Sequence, residues 1–190
     1  SPDIKIITIE APVEYQMYGI NQIHVKPQIG LTFANGLRSI VRQDPDVIMV
    51  GEIRDPETAD IAIQSALTGH MVFSTVHTND AAGAITRLQD MGVESFLISS
   101  ALLGVLAQRL VRVICKKCKT PAKLEERSLN ELGIKDSMDG FTVYQGKGCD
   151  ECNNTGYKGR IGIFELLIIN DDIRRLILQK TSANIIKEKA

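Results

Sequence analysis

The 190 residues carry 22 basic and 23 acidic side chains, a formal net charge of -1, and 44% of them are hydrophobic. A chain of this length buries a proper core and fits one domain with a smaller appendage. The near-neutral balance gives no general electrostatic reason to expect nucleic acid or an anionic membrane, and the longest apolar stretch, Phe96 to Ala107, is too short to span a bilayer.

In chain order, the first apolar run is Ile4 to Ile9, and Glu10 closes it. Residues 11 to 30 hold Pro12, Gly19, Pro27 and Gly30 around a short alternating run, Ile23 to Lys26, and read as a loop with one strand or hairpin arm. Thr32 can cap a helix over Phe33 to Gln43 with Phe33, Leu37, Ile40 and Val41 on its apolar face. On that helix Arg38 and Arg42 are four apart and project from the same side. Val47 to Val50, closed by Gly51-Glu52, and Met71 to Val76, closed by His77, read as buried parallel strands of a βαβ unit. Between them, Asp55 can cap a helix, Pro56 suits its first position, Gly69 stops it, and Ala59, Ala62, Ile63, Ala66 and Leu67 form its sheet-facing stripe. Asn79 or Asp80 can cap the next helix, through Met91, with Ala81, Ala84, Ile85 and Leu88 inward and Gly92 ending it. Ser95 can start another that runs to about Gln108 and is apolar nearly all round, which predicts burial or contact with another subunit. Up to Leu110 the pattern is a doubly wound, mostly parallel α/β half-domain.

Ligands in open parallel sheets bind beyond the carboxyl ends of the strands, so the residues that follow strands are the ones to collect. Glu10, Glu52 and His77 are such residues, and two carboxylates with an imidazole suit a metal-bound phosphate or an activated water. The competing reading is that charged residues follow strands because loops are wet. Arg38, Arg42 and Arg54 add guanidinium groups, whose planar fork matches phosphate, although the residues by themselves favour a solvated helix face.

Cys115 and Cys118 form one C-x-x-C pair, and Cys149 and Cys152 form another. Two such pairs fit a tetrahedral, all-thiolate zinc site, structural rather than catalytic because no position stays open for water. The long interval between the pairs must fold: Ser128 to Leu132 reads as a short helix and Phe141 to Tyr144 as a strand. Lys116, Lys117 and Lys119 are placed to offset the charge of the thiolates. Ile161 to Ile169 then reads as a returning strand, Asp171 or Asp172 can cap a helix through Gln179, and Ser182 to Ala190 starts another. Three divisions result: residues 1-110, 111-160 and 161-190.

The stretches IEAPVEY (Ile9 to Tyr15), GLTFANGLRSIVRQDPDVIMVGEIRDPETA (Gly30 to Ala59) and TGHMVFSTVHTN (Thr68 to Asn79) closely resemble the GspE/PilB class of secretion ATPases. CKKC, CDEC and TGYKGRIGIFELL (Thr155 to Leu167) resemble the zinc-bearing insertion of the same motors. The resemblance implies a RecA-like P-loop NTPase core, ATP and Mg2+ as ligands, Zn2+ on the cysteines, and a homo-hexamer. It implies magnesium or its water on Glu52 at the end of the Walker B strand, and the attacking water oriented by Glu10, with Glu14 in reserve. It also implies terminal-phosphate contact by His77, bracing of that residue by His70, and phosphate contacts by Arg38, Arg42 and Arg54. The setting it implies is the cytoplasmic side of the bacterial inner membrane, peripheral to it, with platform and docking proteins as partners and no nucleic acid. Type II protein secretion is the implied task, with type IV pilus assembly as the alternative.

No G-x-x-x-x-G-K-[ST] loop occurs in the chain, and Ala11 stands where the family's acidic box has Asp. The expectation is therefore a fragment that carries the Walker B half of an ATP site and is inactive by itself. A reading from another class, a zinc-stabilised interaction module without catalysis, fits the same absence.

Overall fold

Four short strands set the architecture, of which IITIE and VIMV are rich in β-branched residues. The computed structural model describes residues 3–123 and 142–190, so the helix expected at 128–132 and Phe141 lie outside the described residues. β1 (Ile6–Glu10), β2 (Asn21–His24), β3 (Val47–Val50) and β4 (Met71–Ser74) form one sheet in the order β2-β1-β3-β4. All three pairings are parallel, with Ile9 opposite Ile23 and Val50, and Val50 opposite Ser74. Alternation along the strands places Ile7, Ile9, Ile48 and Val50 on one face, and all four are buried. Fully burying side chains of this size stabilises by about 1.5–3 kcal/mol each.

The helices begin where cap chemistry allows. Thr32 caps α1 (Phe33–Val41) through the Asn35 N–H, Asp55 caps α2 (Pro56–Leu67) through Thr58, and Asp80 caps α3 (Ala81–Asp90) through Gly83. In α2 the buried stripe is Ala59, Ala62 and Ile63 with Thr58 and Ser65; Leu67 is exposed, one position past the face expected for it. After α4 (Ser95–Ala101), α5 (Asp171–Leu178) is capped by Asn170 rather than by either following aspartate, and α6 (Ala183–Lys189) closes the chain. Ile85, Ile98, Ile173, Ile177 and Ile186 are fully buried in this part of the core. Gln89 ties it together by donating to Ser95 Oγ at 3.1 Å and to the Ile177 carbonyl at 3.3 Å.

Two expectations are corrected here. The helix from Ser95 stops at Ala101, and residues Gly104–Ile114 form β5, which pairs with β8 (Tyr157–Ile168). The reason lies partly in Gly104, which is a poor helix former. A Cβ there would sit 3.1 Å from the Leu167 carbonyl, so the two backbones approach where only hydrogen fits comfortably. Nor is the segment buried, since Leu103, Leu106 and Leu110 are exposed. β4 is parallel as expected, but it is an edge strand with Met71 and Phe73 exposed, not a buried one.

The chain divides into two units, Ser1–Ala107 with Glu165–Ala190, and Gln108–Phe164. In the second, β6 (Lys119–Ala122) pairs antiparallel with β7 (Val143–Gly146). No helix among the described residues is long and apolar enough to cross a membrane.

Candidate functional site

Because β1, β3 and β4 run parallel, their C-terminal ends share one sheet edge. Backbone contacts continue past the strands: the Gly51 N–H donates to the Ile9 carbonyl at 2.8 Å, and the Ile53 N–H donates to the Thr75 carbonyl at 2.9 Å. The Thr75 hydroxyl adds a bond to the Gly51 carbonyl at 2.7 Å. These ties hold Glu10, Glu52 and His77 on the ends of three adjacent strands.

Glu52 is well enclosed, with 12% of its side chain exposed. Its Oε2 accepts from Arg54 Nε and lies 3.2 Å from His77 Nε2, while the His77 ring is 80% exposed. Ion pairs this open contribute at most about 1 kcal/mol. They cost little to exchange, so the imidazole and the guanidinium are free to turn toward an incoming anion.

Glu10 is held differently. Thr8 Oγ1 donates to Glu10 Oε1, and Gln22 Nε2 donates to the same oxygen at 3.0 Å. His24 lies opposite Glu10 in the β1–β2 register. No sequence signal marks Thr8, Gln22 or His24: the run expected at Ile23 to Lys26 puts His24 inside a strand, whereas β2 is shifted toward the N-terminus and ends at His24. Gln22 and His24 also line an open groove of about 750 Å3 with Val13, Met17 and Tyr18, so this face is accessible.

The remaining expected site residues spread out. Arg38 turns to Glu57, at 2.6 Å, in the first turn of α2. Arg42 is the exposed C-cap of α1, beside Gln43, whose carbonyl accepts from Lys5 just before β1. That is the N-terminal edge of the sheet, opposite the edge bearing Glu52. Glu14 is exposed in the loop after β1. His70 directly precedes β4, and its Nδ1 lies 3.0 Å from the Ser65 carbonyl and 3.3 Å from Thr68 Oγ1. Bracing of His77 by His70 is corrected: β4 separates them, and a four-residue strand is about 13 Å long.

In the second unit the four cysteine sulfurs all lie within 4.8 Å of one another. Cys115–Cys149 and Cys118–Cys152 are 3.9 Å apart and Cys149–Cys152 3.8 Å, far beyond a disulfide bond, and all four are free. A tetrahedron with metal–sulfur bonds of ~2.3 Å places its sulfurs ~3.8 Å apart, so the set fits a metal ion. Local backbone supports it. The Cys149 and Gly156 N–H groups donate to Cys152 Sγ at 3.3 Å, and the Cys115 N–H donates to the Gly156 carbonyl at 2.9 Å. Burial pushes the Cys118 thiol up to about 11 against the Gly148 N–H, and raises Cys149 as well. Burial also weighs most on Cys152, upward, but the Cys149 and Gly156 N–H groups and the neighbouring thiols together bring it down to about 6. Of the lysines expected to offset the thiolates, Lys117 pairs with Glu151 at 3.1 Å and Lys119 sits 3.7 Å over the Tyr144 ring. Lys158, not anticipated, also pairs with Glu151, at 2.9 Å.

The family described as "Type II/IV secretion system protein" matches residues 1–190. A type IV pilus assembly ATPase PilB of Thermus thermophilus is 57% identical over 191 residues, covering 100% of this chain and 22% of that protein. A type II secretion system protein E of Pseudomonas aeruginosa is 55% identical over 177 residues, covering 93% of this chain and 35% of that protein. The chain thus spans about a third or less of these relatives. Among solved structures, the pilus retraction motor PilT with bound ADP superposes with a TM-score of 0.63 at 32% identity, over 98% of this chain and 43% of that one. The Legionella pneumophila ATPase DotB, at 23% identity and a TM-score of 0.62 over 98% of this chain and 42% of that one, shares the fold.

Proposed function

Since the chain belongs to the Type II/IV secretion system protein family, we propose that it forms the Walker B half of a RecA-like motor ATPase that powers type II secretion or type IV pilus assembly. The observation that carries this reading is the contact of His77 with Glu52, 3.2 Å across the ends of β3 and β4, with Glu10 on the next strand. It is a compact acid–imidazole cluster at the ligand-binding edge of a parallel sheet.

In this reading Glu52 would hold Mg2+ or a water of its shell, and the ion would neutralise charge on the ATP phosphates. Glu10 orients the water that attacks the terminal phosphate and accepts its hydrogen bond. His77 leaves Glu52 to meet that phosphate, and Arg54 follows it to balance charge developing on the transferred group. Arg38 acts after leaving Glu57. Arg42 lies away from this edge, so its phosphate contact comes from subunit packing in a homo-hexamer, and Glu14, exposed in the loop after β1, is the reserve for the water-orienting carboxylate. No G-x-x-x-x-G-K-[ST] loop occurs among these 190 residues, so the backbone amides and lysine that cradle phosphates in such sites are not among the groups of this half-site. Zn2+ is the ion the tetrathiolate suits, held by Cys115, Cys118, Cys149 and Cys152 and serving structure alone. The assembled ring would work at the cytoplasmic face of the inner membrane against a platform protein.

The test is steady-state ATP hydrolysis by the product of the full open reading frame that encodes residues 1–190, with and without Glu52→Gln. The expected result is hydrolysis by the parent and its loss, by a factor of about 100 or more, in the variant. A variant as active as the parent would remove Glu52 from the chemistry and the reading with it.

A further inference from the structure

We propose that Thr8 and Gln22 are positioning residues for Glu10, saturating one carboxylate oxygen so that the other is presented to the reacting water. The inference rests on the reading of Glu10 as the water-orienting carboxylate.

Thr8 and Glu10 are two apart on β1, and Gln22 and His24 are their partners in the β1–β2 register. Strand alternation therefore puts all four side chains on one face. On that face the Thr8 hydroxyl and the Gln22 amide both donate to Glu10 Oε1. A carboxylate oxygen has two lone-pair sites, so Oε1 is full and Oε2 carries the remaining acceptor capacity.

The amide is itself locked. Gln22 Nε2 uses its second hydrogen on the Tyr15 carbonyl at 2.9 Å, and Gln22 Oε1 accepts the Met17 N–H at 2.7 Å. Both of its donors and its acceptor are engaged, which fixes the flip of the amide and with it the direction of the bond to Glu10. Thr8 is only 2% exposed, so its hydroxyl is shut away from water and directed at the carboxylate. An ordinary strand-end carboxylate in a wet loop needs neither a buried hydroxyl nor an amide anchored at three points.

The distinguishing experiment measures ATP hydrolysis, nucleotide affinity and thermal unfolding of the full open reading frame product for Gln22→Ala, Thr8→Val, Thr8→Ser and Glu10→Gln, and for Gln22→Ala in the Glu10→Gln background. Misplacement of a reacting group by about 1 Å costs up to about 100-fold. Accordingly, Gln22→Ala and Thr8→Val are expected to lower kcat by about tenfold to 100-fold with KM for ATP within about twofold. Thr8→Ser, which keeps the hydroxyl, is expected to stay within about threefold of the parent. In the Glu10→Gln background, Gln22→Ala should cost nothing further, because residues that act through one group are non-additive. If Gln22→Ala lowers the rate equally in both backgrounds, or leaves kcat unchanged while Glu10→Gln abolishes it, the positioning role is wrong. If Glu10→Gln itself retains the parent rate, the Glu10 reading fails instead. Should Thr8→Val not fold, Gln22→Ala, a partly exposed site, decides the matter.

Discussion

Gly156 sits at φ +77 and touches the four-cysteine cluster twice, accepting from Cys115 through its carbonyl and donating to Cys152 Sγ through its N–H. A Cβ at this position would lie 2.5 Å from the Gly146 carbonyl oxygen, and one at Gly146 would lie 2.0 Å from the Gly156 oxygen. Gly156→Ala therefore meets both a left-handed backbone, costing about 1–2 kcal/mol, and a clash with main chain. Competition with a chromophoric chelator should show zinc affinity at least tenfold weaker than in the parent. An unchanged affinity would mean that the Gly146–Gly156 approach does not shape the site. Asp55 is a second residue with two duties. Its Oδ1 caps α2 through the Thr58 N–H, and its Oδ2 accepts from the Thr58 hydroxyl, which is buried. Asp55→Ala removes the cap and orphans that hydroxyl, so denaturant unfolding should report a loss of about 2 kcal/mol. These two positions differ in legibility. D-P-E-T announces a helix start in one dimension, whereas the need for glycine at 156 comes from a partner ten residues away that meets it only on folding.

At the scale of elements, β5 is the informative case. Residues 95–108 are apolar enough for a helix, and their period does not separate a buried helix from a strand. What decides is the partner: β8 pairs with the segment, and Gly104 passes close to Leu167. The sign of one substitution separates the two states. Leucine is a far better helix former than glycine, so in a helix Gly104→Leu would stabilise by somewhat under about 1 kcal/mol. In the strand it should destabilise by about 1–3 kcal/mol, because the new side chain meets backbone on β8. Thermal unfolding measured on parent and variant gives that sign directly. The strands and helices of the sheet were more legible. Each helix from 33 to 90 has a side-chain cap at or beside the position its sequence suggests, and β1 and β3 are compact β-branched runs, whereas β2 (NQIH) is not. The site on them was legible to the same degree. Glu10, Glu52 and His77 follow strands in the sequence, whereas Gln22 joins them only through the β1–β2 register.

For the molecule as a whole, two units with separate sources of stability predict separate responses to metal removal. The unit from Ser1–Ala107 with Glu165–Ala190 holds Ile9, Ile48, Ile85, Ile98 and Ile177, all buried without reference to metal. Among the described residues of the unit Gln108–Phe164, the buried side chains are those of Cys115 and Cys152. Small units of this kind draw much of their folding free energy from metal binding. Chelation should therefore abolish amide protection in Gln108–Phe164 while Ile9, Ile48 and their neighbours exchange as before, a pattern read by hydrogen exchange with mass spectrometry. Simultaneous loss of protection in both units at one chelator concentration would show a single cooperative structure.

Local chemistry written in one dimension was enough to determine the family motifs, the parallel α/β pattern, the caps of the helices from 33 to 90 and the four cysteines, because spacing, branching and side-chain oxygens act within a few residues. Tertiary structure alone decided that His70 and Arg42 lie away from the edge bearing His77 and Glu52, that residues 104–114 are a strand, and that Thr8 and Gln22 converge on one oxygen of Glu10. Those outcomes depend on strand direction and register, which arise only when segments distant in the chain pair.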